Sequence, residues 1–186
     1  IFLSNYKTEK RYPNNWSKVR LNGTVFQEEE LAPIQELHNG VFIDLHPIDN
    51  ILPFSAKLQV GITMFWSCVG KVKSGIYRGS ASKRRFYKMF SWLPYSLINA
   101  NRSFGMKMLK PFKTKYVYKV AHPNNGIYPI DRCTFEDLIE HDFENVKFFI
   151  PRNYDEFLTK RYGDYMQFPP ESEVFDCCAT IMECKL

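Results

Sequence analysis

Short apolar/polar alternations mark the first fifty residues. Lys18-Val-Arg-Leu21 and Thr24-Val-Phe26 flank Asn22-Gly23, which predicts two strands joined as a hairpin, since Asn-Gly accepts the positive φ angles of a type I′ turn. Lys18 and Arg20 then share one strand face. Gly40-Val-Phe-Ile-Asp-Leu-His46 predicts a further strand ended by Pro47, with Val41, Ile43 and Leu45 on one side and Phe42, Asp44 and His46 on the other. Between these, residues 28–37 suit a short acidic helix or a loop. The period then lengthens: Phe86, Met89, Phe90 and Leu93 recur at helical spacing within Ser82 to Leu93, with Lys83, Arg84 and Lys88 turned elsewhere and Pro94 as the stop. This amphipathic basic helix packs on its own core or lies on a membrane surface. Tyr116 to Ala121 reads as a strand followed by the turn residues His122-Pro-Asn-Asn-Gly126. Val146 to Ile150 reads as another. Asn153 caps a helix with Asp155 and Glu156 in its first turn, where the helix dipole favours acids, and Gly163 ends it. Strands and helices alternating in this way predict a mixed α+β fold, a sheet with flanking helices, in one domain over residues 1–186.

Composition adds exclusions. An apolar fraction of 45% and an aromatic fraction of 16% exclude disordered, collagen-like and coiled-coil chains. The most apolar window, Leu58 to Gly70, is shorter than the roughly 20 residues a spanning helix needs. Net charge is +5, unevenly spread: residues 50–130 hold no Asp or Glu but 14 of the 25 Lys and Arg. This acid-free, basic, helical segment attracts anions, or pairs with the acidic flanks on either side of it. Cys68, Cys133, Cys177, Cys178 and Cys184 show neither CxxC pairs nor an even disulfide pattern, so they read as thiols of a reducing compartment and the expected location is cytoplasmic. The chain begins at Ile1 without a basic and apolar leader, and is expected to be processed or partial.

The candidate chemistry centres on Asp44. A carboxylate between Ile43 and Leu45 is costly to desolvate unless it is paired, hydrogen-bonded or bound to a cation, whereas on a solvent-facing strand surface it needs no partner. Asp49 follows Pro47 in a turn, and Lys18 and Arg20 either hold phosphate oxygens or form a solvated face. No GxGxxG, P-loop, HExxH or GxSxG motif occurs.

Three segments in order resemble the LicD family of phosphotransferases, whose relatives include fukutin and fukutin-related proteins. Trp16-Ser-Lys18-Val-Arg20 with Thr24-Val-Phe26 resembles its early basic strand. Gly40-Val-Phe-Ile-Asp44-Leu-His-Pro-Ile-Asp49 resembles "G-(V/I)-x-(I/V)-D-(I/V)-F-P-L-D". Phe149-Ile-Pro151-Arg-Asn-Tyr154 through Tyr162-Gly-Asp164-Tyr-Met166 to Pro169-Pro170 resembles the closing motif. The resemblance implies a nucleotidyltransferase-like core. Its activity would be metal-dependent transfer of phosphocholine, or a similar phospho-alcohol, from a donor such as CDP-choline to a cell-surface glycan or lipid-linked glycan, with no nucleic-acid partner. It implies Asp44 as catalytic residue and ligand to Mg²⁺ or Mn²⁺, with Lys18, Arg20, His46 and Asp49 on the substrate side. Two departures stand out. The family's Trp-Asp-Asp-Asp-x-Asp run has no counterpart, so the core is expected to be incomplete at its N-terminus and this chain alone inactive; position 46 is His rather than Phe. A second reading makes the chain a non-catalytic module whose basic middle grips an anionic glycan or membrane surface at the inner face of the membrane. A third makes it an inactive relative that kept the fold.

Overall fold

The computed structural model describes residues 1–122, 128–168 and 170, together with the backbone of 179–184. The strands are β1 (Phe2–Ser4), β2 (Ser17–Arg20), β3 (Thr24–Glu28), β4 (Phe42–Leu45), β5 (Asp49–Ile51), β6 (Tyr116–Tyr118), β7 (Ile130–Asp131), β8 (Leu138–Phe143), β9 (Val146–Pro151) and β10 (Ala179–Cys184). The helices are α1 (Ala56–Lys73), α2 (Ala81–Lys88), α3 (Tyr95–Lys107), α4 (Cys133–Glu136) and α5 (Tyr154–Tyr162). The α+β class is as the sequence indicates. Among the described residues, however, the strands form four small antiparallel sheets, β1-β2-β4, β10-β3, β5-β6-β7 and β8-β9, rather than one larger sheet.

The expected hairpin does not form. Gly23 has φ 79° but Asn22 stays at negative φ, so the turn is not type I′ and the two strands diverge. β2 lies between β1 and β4, with Lys18 opposite Asp44 and Arg20 opposite Phe42, while β3 pairs with β10. Thr24 helps hold the divergence: its hydroxyl donates to Leu21 O (2.8 Å) and accepts from Val41 N (2.9 Å). Residues 29–37 are turns rather than a helix, and they fold Leu31 and Ile34 onto Ile76 in a small apolar cluster.

The main apolar core joins β5, α1, α3 and β6 through Ile51, Ala56, Met106, Tyr118, Val120 and Ala121. α1 and α3 approach closely because small residues meet at their crossing. A Cβ at Gly105 would lie 2.5 Å from Thr63 Oγ1, and one at Gly70 would rest 3.6 Å from Ile98. Some of the polar side chains between the helices bond to the N-terminal half, while Thr63 Oγ1 and Arg102 Nε and Nη2 are buried without a partner among the described residues. Ser67 Oγ donates to Asn15 Oδ1 (2.7 Å), Asn15 Nδ2 to Ala121 O (2.9 Å), and Arg102 Nη1 to Pro13 O (2.9 Å). These bonds fix the backbone just before Trp16 against the helical layer. The basic helix is shorter than its pattern, ending at Lys88, and Pro94 serves as the N-cap of α3. β9 and α5 follow their predicted spans, with Gly163 at φ 71° past the last turn of α5. Cys68 and Cys133 are free thiols. Residues 123–126 of the predicted turn, Pro169 of the closing motif, and Cys177 and Cys178 lie outside the described residues.

Candidate functional site

β2 and β4 bring Lys18, Arg20 and Asp44 to one sheet face, and β3 brings Glu28 across it. Both cations are buried, with side-chain exposures of 3% and 2%. Glu28 bridges them: Oε1 lies 2.5 Å from Lys18 Nζ and Oε2 2.8 Å from Arg20 Nη2. Arg20 spends its remaining donors on Ser4 Oγ (3.1 Å, from Nε) and Gly40 O (2.9 Å, from Nη1). The Lys18 ammonium also sits 3.3 Å from the centre of the Phe42 ring. Burial lowers the Lys18 pKa from its ordinary value, against the opposing pull of the Glu28 hydrogen bond and of the Glu28 and Asp44 charges. Neither cation forms a solvated strand face, and neither is free to point its charge outward.

Asp44 is the carboxylate on the open side of this cluster, with its side chain 35% exposed on the edge strand of a three-stranded sheet. Trp16 Nε1 donates to its Oδ1 (3.0 Å), and Lys18 Nζ stands 3.7 Å from the same oxygen. His46 Nε2 is 3.9 Å from Oδ2. Phe42 and His46 are half-buried on this face while Asp44 is exposed, and the opposite side, Val41, Ile43 and Leu45, is exposed as well, so β4 is open on both sides at Asp44. Asp44 nevertheless leans on Lys18, which lies opposite it in the sheet.

Sequence reasoning missed four members of the group, Trp16, His122, Lys119 and Glu28. Trp16 stacks on His122 (ring centroids 4.6 Å apart, 18° between planes) and leans on His46 at 5.1 Å, and the two imidazoles are 5.5 Å apart. Burial, then the neighbouring Lys119 charge, hold both histidines below their ordinary pKa, outweighing Asp44, so both are neutral at pH 7. Each leaves Nδ1 without a hydrogen-bond partner among the described residues. The Lys119 pKa is itself lowered, by burial and by Arg161, which with Tyr162 brings the closing motif to this corner. In the sequence His122 looks like a turn residue, Lys119 like part of a strand, and Glu28 like one of a solvated acidic run. No local pattern marks them, because their partners are tens of residues away.

Asp49 does not join the group. It lies in β5 opposite Tyr118, its Oδ2 is buried without a partner among the described residues, and burial pushes its pKa up to about 7, only partly offset by Lys107.

The open side of the assembly presents Asp44 beside two neutral imidazoles, an arrangement able to move a proton between imidazole and carboxylate. As a resident divalent-metal site it is insufficient. Among the described residues no three His, Cys, Asp or Glu side chains are placed to hold an ion, and Asp44 already accepts from Trp16 and faces Lys18. No protein-family model matches the chain, nor does any curated protein or solved structure.

Proposed function

We propose that the chain is part of a phosphotransferase of the kind its motifs resemble, moving phosphocholine or a related phospho-alcohol from a nucleotide-diphosphate donor to a glycan hydroxyl. The observation that carries this reading is the position of Asp44. It lies on an edge strand, partly exposed, with two neutral imidazoles and Lys119 beside it and the closing motif's Arg161 and Tyr162 adjoining. In the proposed reaction Lys119 and the His122 Nε2–H receive phosphate oxygens. His46 Nε2 takes the proton of the attacking hydroxyl, and the imidazolium so formed is stabilised by Asp44 at 3.9 Å. The acceptor oxygen bonds to phosphorus as the P–O bond to the nucleotide breaks, and the electron pair leaves with the nucleoside monophosphate. A divalent ion in such a reaction neutralises the leaving phosphate; here it would require carboxylates from outside the described residues together with Asp44.

The test is calorimetric titration of CDP-choline with Mg²⁺ into the full gene product, in the wild type and in Asp44→Asn, which retains an acceptor for Trp16. Mg²⁺-dependent binding that is lost in the variant is the expected result. No binding of any nucleotide-diphosphate donor, or equal binding by the variant, overturns the reading.

A further inference from the structure

α1 turns Ala56, Gln59, Thr63, Ser67, Val69 and Gly70 to its buried side, yet it also carries apolar residues outward: Leu58 and Met64 are exposed and Phe65 is half-buried. Gln59 Nε2 donates to Asn50 O (3.0 Å) and Ser67 Oγ to Asn15 Oδ1 (2.7 Å) on the inward side, where the Thr63 hydroxyl is buried without a hydrogen-bond partner among the described residues.

Phe65 carries this outer face onto α2, its ring centroid 5.2–6.1 Å from those of Phe86, Tyr87 and Phe90. α2 has no buried residue at all. Phe86 is 51% exposed, Met89 67% and Trp92, in the turn that follows, 76%. At about 100° per residue, Phe86 and Met89 project between Arg85 on one side and Lys83 on the other. Lys83, Arg85 and Lys88 have no carboxylate within ion-pair distance among the described residues; the pairs nearby, Lys71–Glu30 and Arg78–Glu29, do not involve them. No Asp or Glu occurs from residue 50 to 130.

We propose that this α1–α2 face docks on a bilayer containing anionic lipid, with α2 lying in the headgroup plane. Phe86, Met89 and Trp92 enter the acyl boundary, Lys83 and Arg85 on either side meet lipid phosphates, and Lys88, farther round the helix, adds to the attraction at longer range. Docking in the plane agrees with the absence, among the described residues, of any helix long and apolar enough to cross a membrane. A second copy of the chain suits this face less well, because an isologous contact would set unpaired cations against themselves. Single-stranded nucleic acid could stack on Phe86 and Trp92 but would leave the exposed aliphatic Leu58, Met64 and Met89 in water, whereas a bilayer covers all of them. The inference is independent of the transfer reaction: vesicle binding requires neither nucleotide nor Asp44.

Flotation with vesicles of phosphatidylcholine alone, and of phosphatidylcholine with one-third phosphatidylglycerol, tests it. The protein should float with the anionic vesicles only, and release at about 0.5 M NaCl, where charges are screened within about 5 Å. The triple variant K83E/R85E/K88E should lose about 100-fold or more in partitioning, and F86S/M89S about tenfold or more. Tryptophan emission should shift to the blue on vesicles and lose that shift in Trp92→Phe. Because Lys83, Arg85, Phe86, Lys88 and Met89 are all exposed, and Tyr87 and Phe90 keep their contacts with Phe65, far-ultraviolet dichroism of both variants should match the wild type. Failure to bind anionic vesicles overturns the proposal. So does full binding by F86S/M89S, which would reduce the contact to charge alone. A face-dependent dimer, or a face-dependent affinity for a short RNA, in place of vesicle binding also overturns it.

Discussion

Glu28 is the residue on which the buried charges of β2 depend, and Glu28→Ala measures that dependence. In the wild type the carboxylate contacts Lys18 Nζ and Arg20 Nη2, both nearly inaccessible to water. Without it, Arg20 keeps Ser4 and Gly40 as acceptors but no charge partner, and it cannot shed its proton. Lys18 keeps only Asp44 at 3.7 Å. Releasing the Lys18 proton at pH 7 from an ordinary pKa of 10.5 costs about 5 kcal/mol, which caps its share. Breaking a buried pair by deleting one partner costs about 3–5 kcal/mol, so the variant should lose that much stability in urea denaturation. Glu36→Ala is the control: its pair with Arg11 is exposed, and it should cost about 0–1 kcal/mol. Replacing all three charges, as in K18M/R20M/E28L, should recover most of the loss, because the penalty lies in the uncompensated charge. If Glu28→Ala and Glu36→Ala cost the same, the clamp contributes no more than a surface pair and the reasoning fails.

Other expectations are shorter. Asp49 is raised to about 7 in the folded chain against 3.8 unfolded, so its contribution is fully present below pH 3.8 and is lost as the pH rises towards 7. Asp49→Asn should therefore flatten the fall in stability between about pH 4 and 7, by up to about 4 kcal/mol, in urea melts across that range; an unchanged slope would refute the burial argument. Gly105→Ala places a methyl 2.5 Å from Thr63 Oγ1 and 2.9 Å from Thr63 N, where the backbone cannot yield easily. It should cost about 1–3 kcal/mol by thermal melting, and Thr63→Ala in the same chain should recover part of that. Gly163→Ala meets no steric obstacle but must hold φ 71°, ψ −131°, and should cost about 1–3 kcal/mol from backbone strain alone.

The elements governed by local chemistry are the ones a reader of the sequence finds. β9, α5 with its acidic first turn, and Gly163 past its end rest on propensity, capping and dipole within a dozen residues, and they occur where the pattern puts them. β4 ends before Pro47 for the same kind of reason. The absence of acid from residues 50 to 130 is likewise a fact of the chain, and it fixes the sign of the helical layer's charge whatever the fold.

Contacts between distant segments were beyond that reading. Asn-Gly at 22–23 is a strong local signal for a hairpin, yet β2 takes β1 and β4 as neighbours, because pairing is decided by which strands bury a common face. That choice determines the site. It seats Lys18 opposite Asp44, brings Glu28 over both cations, and turns the apolar side of β4 outward, against the simplest reading of its alternation. The Trp16, His46 and His122 cluster exists only because Asn15 is tied to Ser67 and Ala121, contacts spanning 52 and 106 residues. The sequence by itself determined the local elements, the class and the charge distribution, since these depend on neighbours along the chain. Tertiary structure alone decided which charges are buried together and which apolar faces stay open, since desolvation depends on neighbours in space.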